Sequence, residues 1–285
     1  HLENNGDKTA IIFEPNDIND KSEHISYSDL HRRVCRMANV LKDIGVKKGD
    51  RVCIYLPMIP ELAVSVLACA RIGAVHSVVF AGFSSSALST RINDCQCEVV
   101  ITSDGSFRGN KILNLKEIVD EALKDCPQVC SVLVAERTKS KIELKLGRDK
   151  LLNDLLKNSN DSCPIEVMDS EDPLFILYTS GSTGKPKGMV HSTAGYMIGA
   201  GYTFKNIFQY QNKDIYWCTA DIGWITGHSY IVYGPLLNGA TTIMFEGVPN
   251  YPDSSRWWQI IDKFKVCLLY TSDAADEGLG VDLGG

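Results

Sequence analysis

Apolar and polar positions along the first part of the chain switch between a helical and a strand-like spacing. From Leu30 to Leu41, apolar residues recur every three or four positions, the spacing of a helix that buries one face. Ser26 supplies an N-cap before this stretch and Gly45 a stop after it. The pattern therefore predicts a helix over residues 26–44.

Short, almost wholly apolar runs then alternate with helical segments up to residue 134. Such runs are typical of strands buried on both faces of a sheet. We predict strands at 51–56, 76–80, 98–102 and 129–134, and helices at 60–72, 84–93 and 114–123. The alternation predicts an α/β fold in which parallel sheets are covered by helices.

The alternation is interrupted between residues 136 and 172, where we predict only a short helix near 151–156. It then resumes with strands at 174–178, 215–219 and 241–245 and helices at 191–208 and 229–237. We therefore divide the chain into a first α/β region at 1–135, a linker or excursion at 136–172 and a second βα region at 173–265.

The two ends of the sequence are unusual. Residues 266–285 are acidic and glycine-rich and have no sustained period, so we expect a non-native tail that does not pack. The chain begins at His1 rather than Met, and we expect a clipped N-terminus.

Composition excludes several classes of protein. With 285 residues, 44% of them hydrophobic and 22% charged, the chain resembles ordinary folded proteins. Its net charge of −6 gives no general surface for nucleic acid, and no apolar run reaches the roughly 20 residues of a membrane helix. We expect no nucleic-acid partner and no membrane span, so any bound anion needs a local site.

The ten cysteines mostly lie inside apolar runs, as reduced core thiols do. The pairs Cys95/Cys97 and Cys126/Cys130 lack a second cluster with the spacing of a zinc site, so no metal ligand is assigned. We expect a cytoplasmic location, with the mitochondrial matrix as the alternative, since reduced thiols suit either compartment.

The most informative segment is residues 178–188, which read YTSGSTGKPKG and follow a predicted strand. Glycines let the backbone approach a ligand, while amides, hydroxyls and two lysines suit phosphate oxygens. The Walker pattern fails, because Thr179 stands where it needs glycine and Pro186 follows Lys185. The segment predicts an anion-binding loop, with a plain flexible loop as the alternative.

This segment resembles the signature loop of the adenylate-forming acyl-CoA synthetases, which join a carboxylate to the α-phosphate of ATP and pass the acyl group to a thiol. The resemblance implies part of the large N-terminal domain of an adenylate-forming enzyme, with Lys185 and Lys187 as catalytic residues. The residues that it implies for binding the ATP phosphates are Thr179, Ser180, Gly181, Ser182, Thr183, Gly184, Lys185, Lys187 and Gly188.

Two later segments, WCTADIGWITGHSY at 217–230 and FEGVPNYPD at 245–253, are similar to the acetate-activating members of that family. The resemblance implies an acetate pocket formed by Trp224, Ile225 and Thr226. Thr226 is also an expected catalytic residue and, with Asn250, an expected CoA contact. From the residues alone, the alternative is that Trp224 and His228 are packed core residues.

Residues 108–111, Arg-Gly-Asn-Lys, place two cations around a glycine after a predicted strand. Such a turn can clamp phosphates, although a solvated basic turn is the commoner explanation. The resemblance implies that Arg108, Gly109, Asn110 and Lys111 bind CoA.

The resemblance implies a ligase that converts acetate, ATP and CoA into acetyl-CoA, AMP and pyrophosphate with the help of Mg²⁺. Members of the family extend beyond the length of this chain, so we expect the chain alone to be inactive. A non-catalytic fragment that binds nucleotide or CoA is the alternative, and a phosphotransferase that forms ADP is a third hypothesis. Oligomeric state and preference for acetate over propionate stay open.

Overall fold

A computed structural model describes residues 1–179 and 186–271. Its strands form a seven-stranded sheet, a five-stranded sheet and a two-stranded hairpin. Numbered along the chain, the strands are β1 (Thr9–Glu14), β2 (Glu23–Ser26), β3 (Arg51–Tyr55), β4 (Val75–Val78), β5 (Val99–Ser103), β6 (Ser106–Arg108), β7 (Lys111–Leu113), β8 (Ser131–Ala135), β9 (Asp149–Leu151), β10 (Pro173–Thr179), β11 (Lys187–Ser192), β12 (Ile215–Cys218), β13 (Thr241–Phe245) and β14 (Leu268–Tyr270).

The helices are α1 (Leu2–Asn5), α2 (Tyr27–Asp43), α3 (Pro60–Arg71), α4 (Ser85–Cys95), α5 (Leu115–Ala122), α6 (Leu152–Lys157), α7 (Thr193–Asn206), α8 (Ile225–Gly227), α9 (Gly234–Leu237) and α10 (Arg256–Phe264). A 3₁₀ turn at Leu123–Asp125 follows α5, and a π-helical segment at His228–Tyr233 joins α8 to α9. In the parts of the chain described here, no helix is both long and apolar enough to cross a membrane.

The seven-stranded sheet has the order β11-β10-β4-β3-β5-β8-β9, and all its neighbours are parallel except β10 and β11. Both of its faces are buried. In β3, Val52 and Ile54 join the apolar cluster that contains α2 and α3, whereas Cys53 and Tyr55 join the one that contains α4 and α5. Alternate residues of a strand point to opposite faces, which explains its nearly continuous apolar sequence.

The five-stranded sheet has the order β14-β12-β13-β1-β2, and only β1 and β2 are antiparallel. Helix α10 covers one face, where Ile260 and Phe264 pack with Ile12, Trp217 and Ile243. Both sheets take strands from before residue 136 and from after residue 172. The predicted α/β class, with mostly parallel sheets covered by helices, is confirmed; the division into regions at 1–135, 136–172 and 173–265 stays a prediction.

Local sequence signals account for the best-predicted elements. The hydroxyl of Ser26 accepts a hydrogen bond of 3.0 Å from the Asp29 amide and caps α2, which ends at Asp43. The predicted helix over 26–44 is therefore confirmed. Ser84 caps α4 in the same way, through the Ala87 amide at 3.3 Å. The predicted strand at 241–245 coincides with β13.

Two helix predictions need correction. The helix expected over 191–208 begins only at Thr193, because residues 187–192 form β11 and pair with β10. The helix expected over 229–237 is instead two segments: the π-helical segment ends at Tyr233, and α9 begins at Gly234.

The chain just after residue 265 joins the five-stranded sheet. Strand β14 pairs in parallel with β12, and the Cys267 amide donates to the Ile215 carbonyl at 2.9 Å. Residues 268–270 therefore pack, contrary to expectation, because they supply an edge strand. Residues 272–285 lie outside the described residues, and the non-native origin of the tail at 266–285 stays a prediction.

All ten cysteines lie in the described ranges, none of them in a disulfide bond, and eight of them are buried.

Candidate active site

A cavity of about 150 Å³ opens between the two sheets, at the carboxyl ends of their central strands. Loops after parallel strands meet at this edge, which is where open α/β sheets bind ligands. The segments that line the cavity follow β3, β4, β12 and β13 and include Pro57, Met58, Phe80, Ala81, Gly82, Thr219, Ala220, Asp221, Glu246, Gly247, Val248 and Pro249.

The β6–β7 hairpin forms a side wall of this cavity. Its turn holds the four residues expected to bind CoA, with Arg108 opposite Lys111 in the pairing. The Arg108 guanidinium lies 5.6 Å from the centre of the Phe80 ring, close enough for a cation–π contact. Arg108, Asn110 and Lys111 are exposed, so their polar groups can reach a ligand at the rim.

Glycine is needed within that turn. Gly109 has φ +62°, and a side-chain carbon there would lie 3.5 Å from the ring of Tyr251. Tyr251 follows Asn250, another expected CoA contact, which is exposed in the loop after β13. Residues 108–111 and Asn250, far apart in sequence, therefore occupy neighbouring loops.

The expected acetate-pocket residues lie at α8. Trp224 is 40% exposed and Ile225 is 42% exposed, so neither is a core residue, while Thr226 is half-buried. The Trp224 ring lies 6.0 Å from the rings of both Phe80 and Phe83. Phe80 lines the cavity, so Trp224 lies beside the cavity, but Trp224, Ile225 and Thr226 are not among the residues that line it.

His228 behaves differently from Trp224. It is fully buried, 4.7 Å from Phe175 and 5.6 Å from His76 between ring centres, and its Nδ1 lies 3.3 Å from the Trp224 carbonyl oxygen. Burial lowers the pKa of His228 to about 4, so the imidazole is neutral near pH 7. The sequence left open whether Trp224 and His228 are site residues or packed core residues; His228 is a packed core residue.

Asp221 is a cavity residue that the sequence did not single out. Its Oδ1 accepts a hydrogen bond of 2.6 Å from the Gly223 amide, which shapes the loop before Trp224. Burial raises the pKa of Asp221 to about 6, and the amide of Gly223 and the charge of Arg108 oppose that shift. The Asp-x-Gly spacing was the available signal, since a short acidic side chain readily bonds the backbone two residues on.

The expected phosphate loop connects β10 to β11. Ser180, Gly181, Ser182, Thr183, Gly184 and Lys185 lie outside the described residues. At the two ends of the loop, Thr179 is paired with Lys187, and Tyr178 with Gly188. Thr179, Lys187 and Gly188 are all exposed, so the described part of the expected ATP site is open to a ligand.

Tyr178 fixes the strand that leads into this loop. Its hydroxyl donates to Asp94 at 2.5 Å and lies 2.9 Å from the Cys95 sulfur, and the Arg91 guanidinium lies 5.5 Å from its ring centre. The neighbouring Cys97 thiol, through a hydrogen bond, lowers the pKa of the Cys95 thiol below its ordinary value. These contacts hold the end of β10 against α4.

The described residues contain no group of three or more His, Cys, Asp or Glu side chains arranged to hold a metal ion.

Comparisons with known proteins agree with this arrangement. The family model described as AMP-binding enzyme matches residues 1–275. Acetyl-coenzyme A synthetase 2 of Pseudomonas aeruginosa is 60% identical over 98% of the chain, and the acetyl-coenzyme A synthetases of Alkalilimnicola ehrlichii and Halorhodospira halophila are 59% and 60% identical over the same share. The chain spans 43% of the length of each of these relatives.

The family model covers both sheets, the cavity between them and the loop after β10. The resemblance first drawn from residues 178–188 is thereby confirmed, and the chain belongs to the AMP-binding enzyme family.

Proposed function

We propose that the chain is part of a longer acetate–CoA ligase, which makes acetyl-CoA, AMP and pyrophosphate from acetate, ATP and CoA. The observation that carries the proposal is the cavity lined by Phe80 and Arg108, because Trp224 packs against Phe80 beside it. Relatives at 59–60% identity that are named acetyl-coenzyme A synthetases support the choice of acid.

In the first step, an acetate oxygen attacks the α-phosphorus of ATP, and the bond to the pyrophosphate oxygen breaks. Negative charge grows on the phosphates, so cations and amides aimed at them stabilise the transition state. We assign this role to residues 179–188, with Lys185 and Lys187 as catalytic cations. Lys187 lies at the base of the loop, opposite Thr179.

In the second step, the CoA sulfur attacks the carbonyl carbon of acetyl-adenylate, AMP leaves, and the thiol proton is released. We assign CoA binding to Arg108, Gly109, Asn110, Lys111, Thr226 and Asn250. The exposed cations at 108 and 111 suit the phosphates of CoA. The methyl group of acetate needs only a small apolar pocket, for which Trp224 and Ile225 supply walls and Thr226 a hydroxyl.

Mg²⁺ neutralises phosphate charge when it is bound with ATP. The described residues offer no carboxylate cluster for it, so its protein ligands are not assigned to them. We also propose a cytoplasmic location, which suits eight buried cysteines that form no disulfide bond.

The test uses the complete protein, meaning the protein of its relatives' length that contains this chain. We expect acetate-dependent exchange of labelled pyrophosphate into ATP, and AMP rather than ADP as the product. Exchange without acetate dependence, or ADP as the product, would refute the proposal.

Lys187→Ala tests the phosphate loop in that protein. We expect the exchange rate to fall at least 100-fold, since one transition-state cation is lost. Lys42→Ala is the matched control, because Lys42 is an exposed lysine on α2. Equal effects of the two substitutions would remove Lys187 from the mechanism.

The alternative is a chain that binds CoA or nucleotide without turnover. Calorimetry on the 285-residue chain would then show heat of binding for CoA, and assays of the complete protein would show no AMP.

A further inference from the structure

Asn16, just after β1, is bonded to the turn of the β6–β7 hairpin. Its side-chain oxygen accepts from the Gly109 amide at 3.1 Å, and its side-chain nitrogen donates to the Gly109 carbonyl at 2.9 Å. Both polar groups of one turn residue are thus paired with a single side chain that is only 4% exposed. Such a two-point contact fixes the position and the orientation of the turn backbone.

Asn16 is itself held in place by a hydrogen bond of its backbone. Its backbone amide donates to the buried Glu246 carboxylate at 3.1 Å, and Glu246 accepts two hydrogen bonds from the Arg137 guanidinium. Arg137 also lies 5.1 Å from the ring centre of Phe107 in β6. One network of contacts therefore holds both strand β6 and the turn of the hairpin. The network is fixed to the five-stranded sheet, because Asn16 lies just after β1 and Glu246 directly after β13.

Among the described residues, the charged side chains of this turn form no hydrogen bond, although Arg108 makes the cation–π contact with Phe80. Arg108 and Lys111 lie on either side of the turn and are exposed. The backbone of the turn therefore sets the positions of their Cα and Cβ atoms and the direction in which each side chain leaves the backbone. A cation that is already in position loses less conformational entropy when a phosphate binds.

We propose that Asn16 is a positioning residue for CoA, which orders residues 108–111 through Gly109 without touching the ligand. This inference rests on the proposed function, because it takes residues 108–111 as the CoA-binding turn. It assigns a role to a residue outside every motif that the sequence displayed.

The test compares Asn16→Ala with wild type in the complete protein. We expect the KM for CoA to rise about tenfold, because two neutral hydrogen bonds to the turn are lost. The kcat at saturating CoA and the KM for ATP should stay within about twofold of wild type, since Thr179 and residues 186–188, the described part of the expected phosphate loop, form no hydrogen bond with this network. Asn19→Ala is the matched control, because Asn19 is exposed and, within residues 1–179 and 186–271, its side chain bonds only to Asp17.

Asn16→Asp keeps the acceptor for the Gly109 amide and loses the donor to its carbonyl. Because its second carboxylate oxygen would face the Gly109 carbonyl, acceptor against acceptor, we expect its KM for CoA to rise at least as far as that of Asn16→Ala, and it replaces Asn16→Ala if the latter does not fold. An unchanged KM for CoA, or equal changes in all three kinetic constants, would overturn the inference. If the wild-type protein shows no dependence on CoA, the proposed function fails instead.

Discussion

Trp224 illustrates how one side chain can be both exposed and held in place. Its ring packs against Phe80 and Phe83, and the residue is still 40% exposed. We predict that Trp224→Ala raises the KM for acetate at least tenfold, because the apolar wall for the methyl group is removed. Steady-state kinetics of the complete protein at varied acetate would measure this.

Trp258→Ala is the control for that prediction, since Trp258 lies on α10 and is 66% exposed. Its KM for acetate should match that of wild type. If both variants behave alike, Trp224 has no role in the pocket.

The sequence predicted site residues where a local motif marked them and missed those that depend on distant contacts. The turn at 108–111 combines charge with glycine, so it was a visible candidate. Asn16 gave no signal, because its partner Gly109 lies 93 residues away. Asp221 was missed for a related reason, since only the fold places it on the wall of a cavity.

At the scale of elements, the cap of α2 is the clearest link between sequence and stability. We predict that Ser26→Ala lowers the free energy of unfolding by about 1 kcal/mol, because the Asp29 amide loses its partner. The midpoint of urea unfolding would measure the change. Ser254→Ala, at an exposed serine, should leave the midpoint unchanged; an equal shift in both variants would contradict the assignment.

Elements with strong periodicity and a cap, such as α2 and α4, were predicted closely. Strands β6, β7 and β11 were missed, because they are short or mostly exposed and pair with neighbours instead of burying an apolar run. Strand β1 is different: its apolar residues 10–13 are all buried, yet its place between β13 and β2 depends on partners near residue 243. The pattern of residues within β1 does not indicate that β13 is the strand with which it pairs.

At the scale of the whole molecule, a stack of aromatic rings joins the seven-stranded sheet to the segment that follows α8. Phe175 of β10 stacks with His76 of β4, His191 of β11 and His228, at 5.3, 4.4 and 4.7 Å between ring centres. Burial lowers the pKa of each of these imidazoles.

This stack makes stability depend on pH. With the pKa of His228 at about 4 when folded and 6.5 ordinarily, the unfolded chain binds the proton more readily between those values. Above pH 6.5, the titration of His228 does not affect the free energy of unfolding. As the pH falls from 6.5 to 4, protonation of His228 in the unfolded chain lowers that free energy by about 3 kcal/mol. We predict that, between pH 6.5 and pH 4, the free energy of unfolding falls less in His228→Phe than in wild type. Urea unfolding curves recorded across this pH range would measure the difference.

Other titrating groups, Asp221 included, are common to both proteins, so the difference between their slopes isolates His228. Tyr233→Phe is the matched control, because Tyr233 lies 6.5 Å from Phe175 and has no proton to gain in this range. A His228→Phe slope equal to that of wild type would contradict the neutral, buried imidazole.

The place of β1 also has a consequence for synthesis in the cell. Ile11 pairs with Thr242, so β1 leaves the ribosome long before the strand that completes its parallel ladder exists. At 5–20 residues per second, the delay is roughly 10 to 50 s, far longer than hydrophobic collapse takes. The β1–β2 ribbon must spend that time with one edge unpaired, and the nascent chain is therefore most in need of a chaperone before residue 245 has been made.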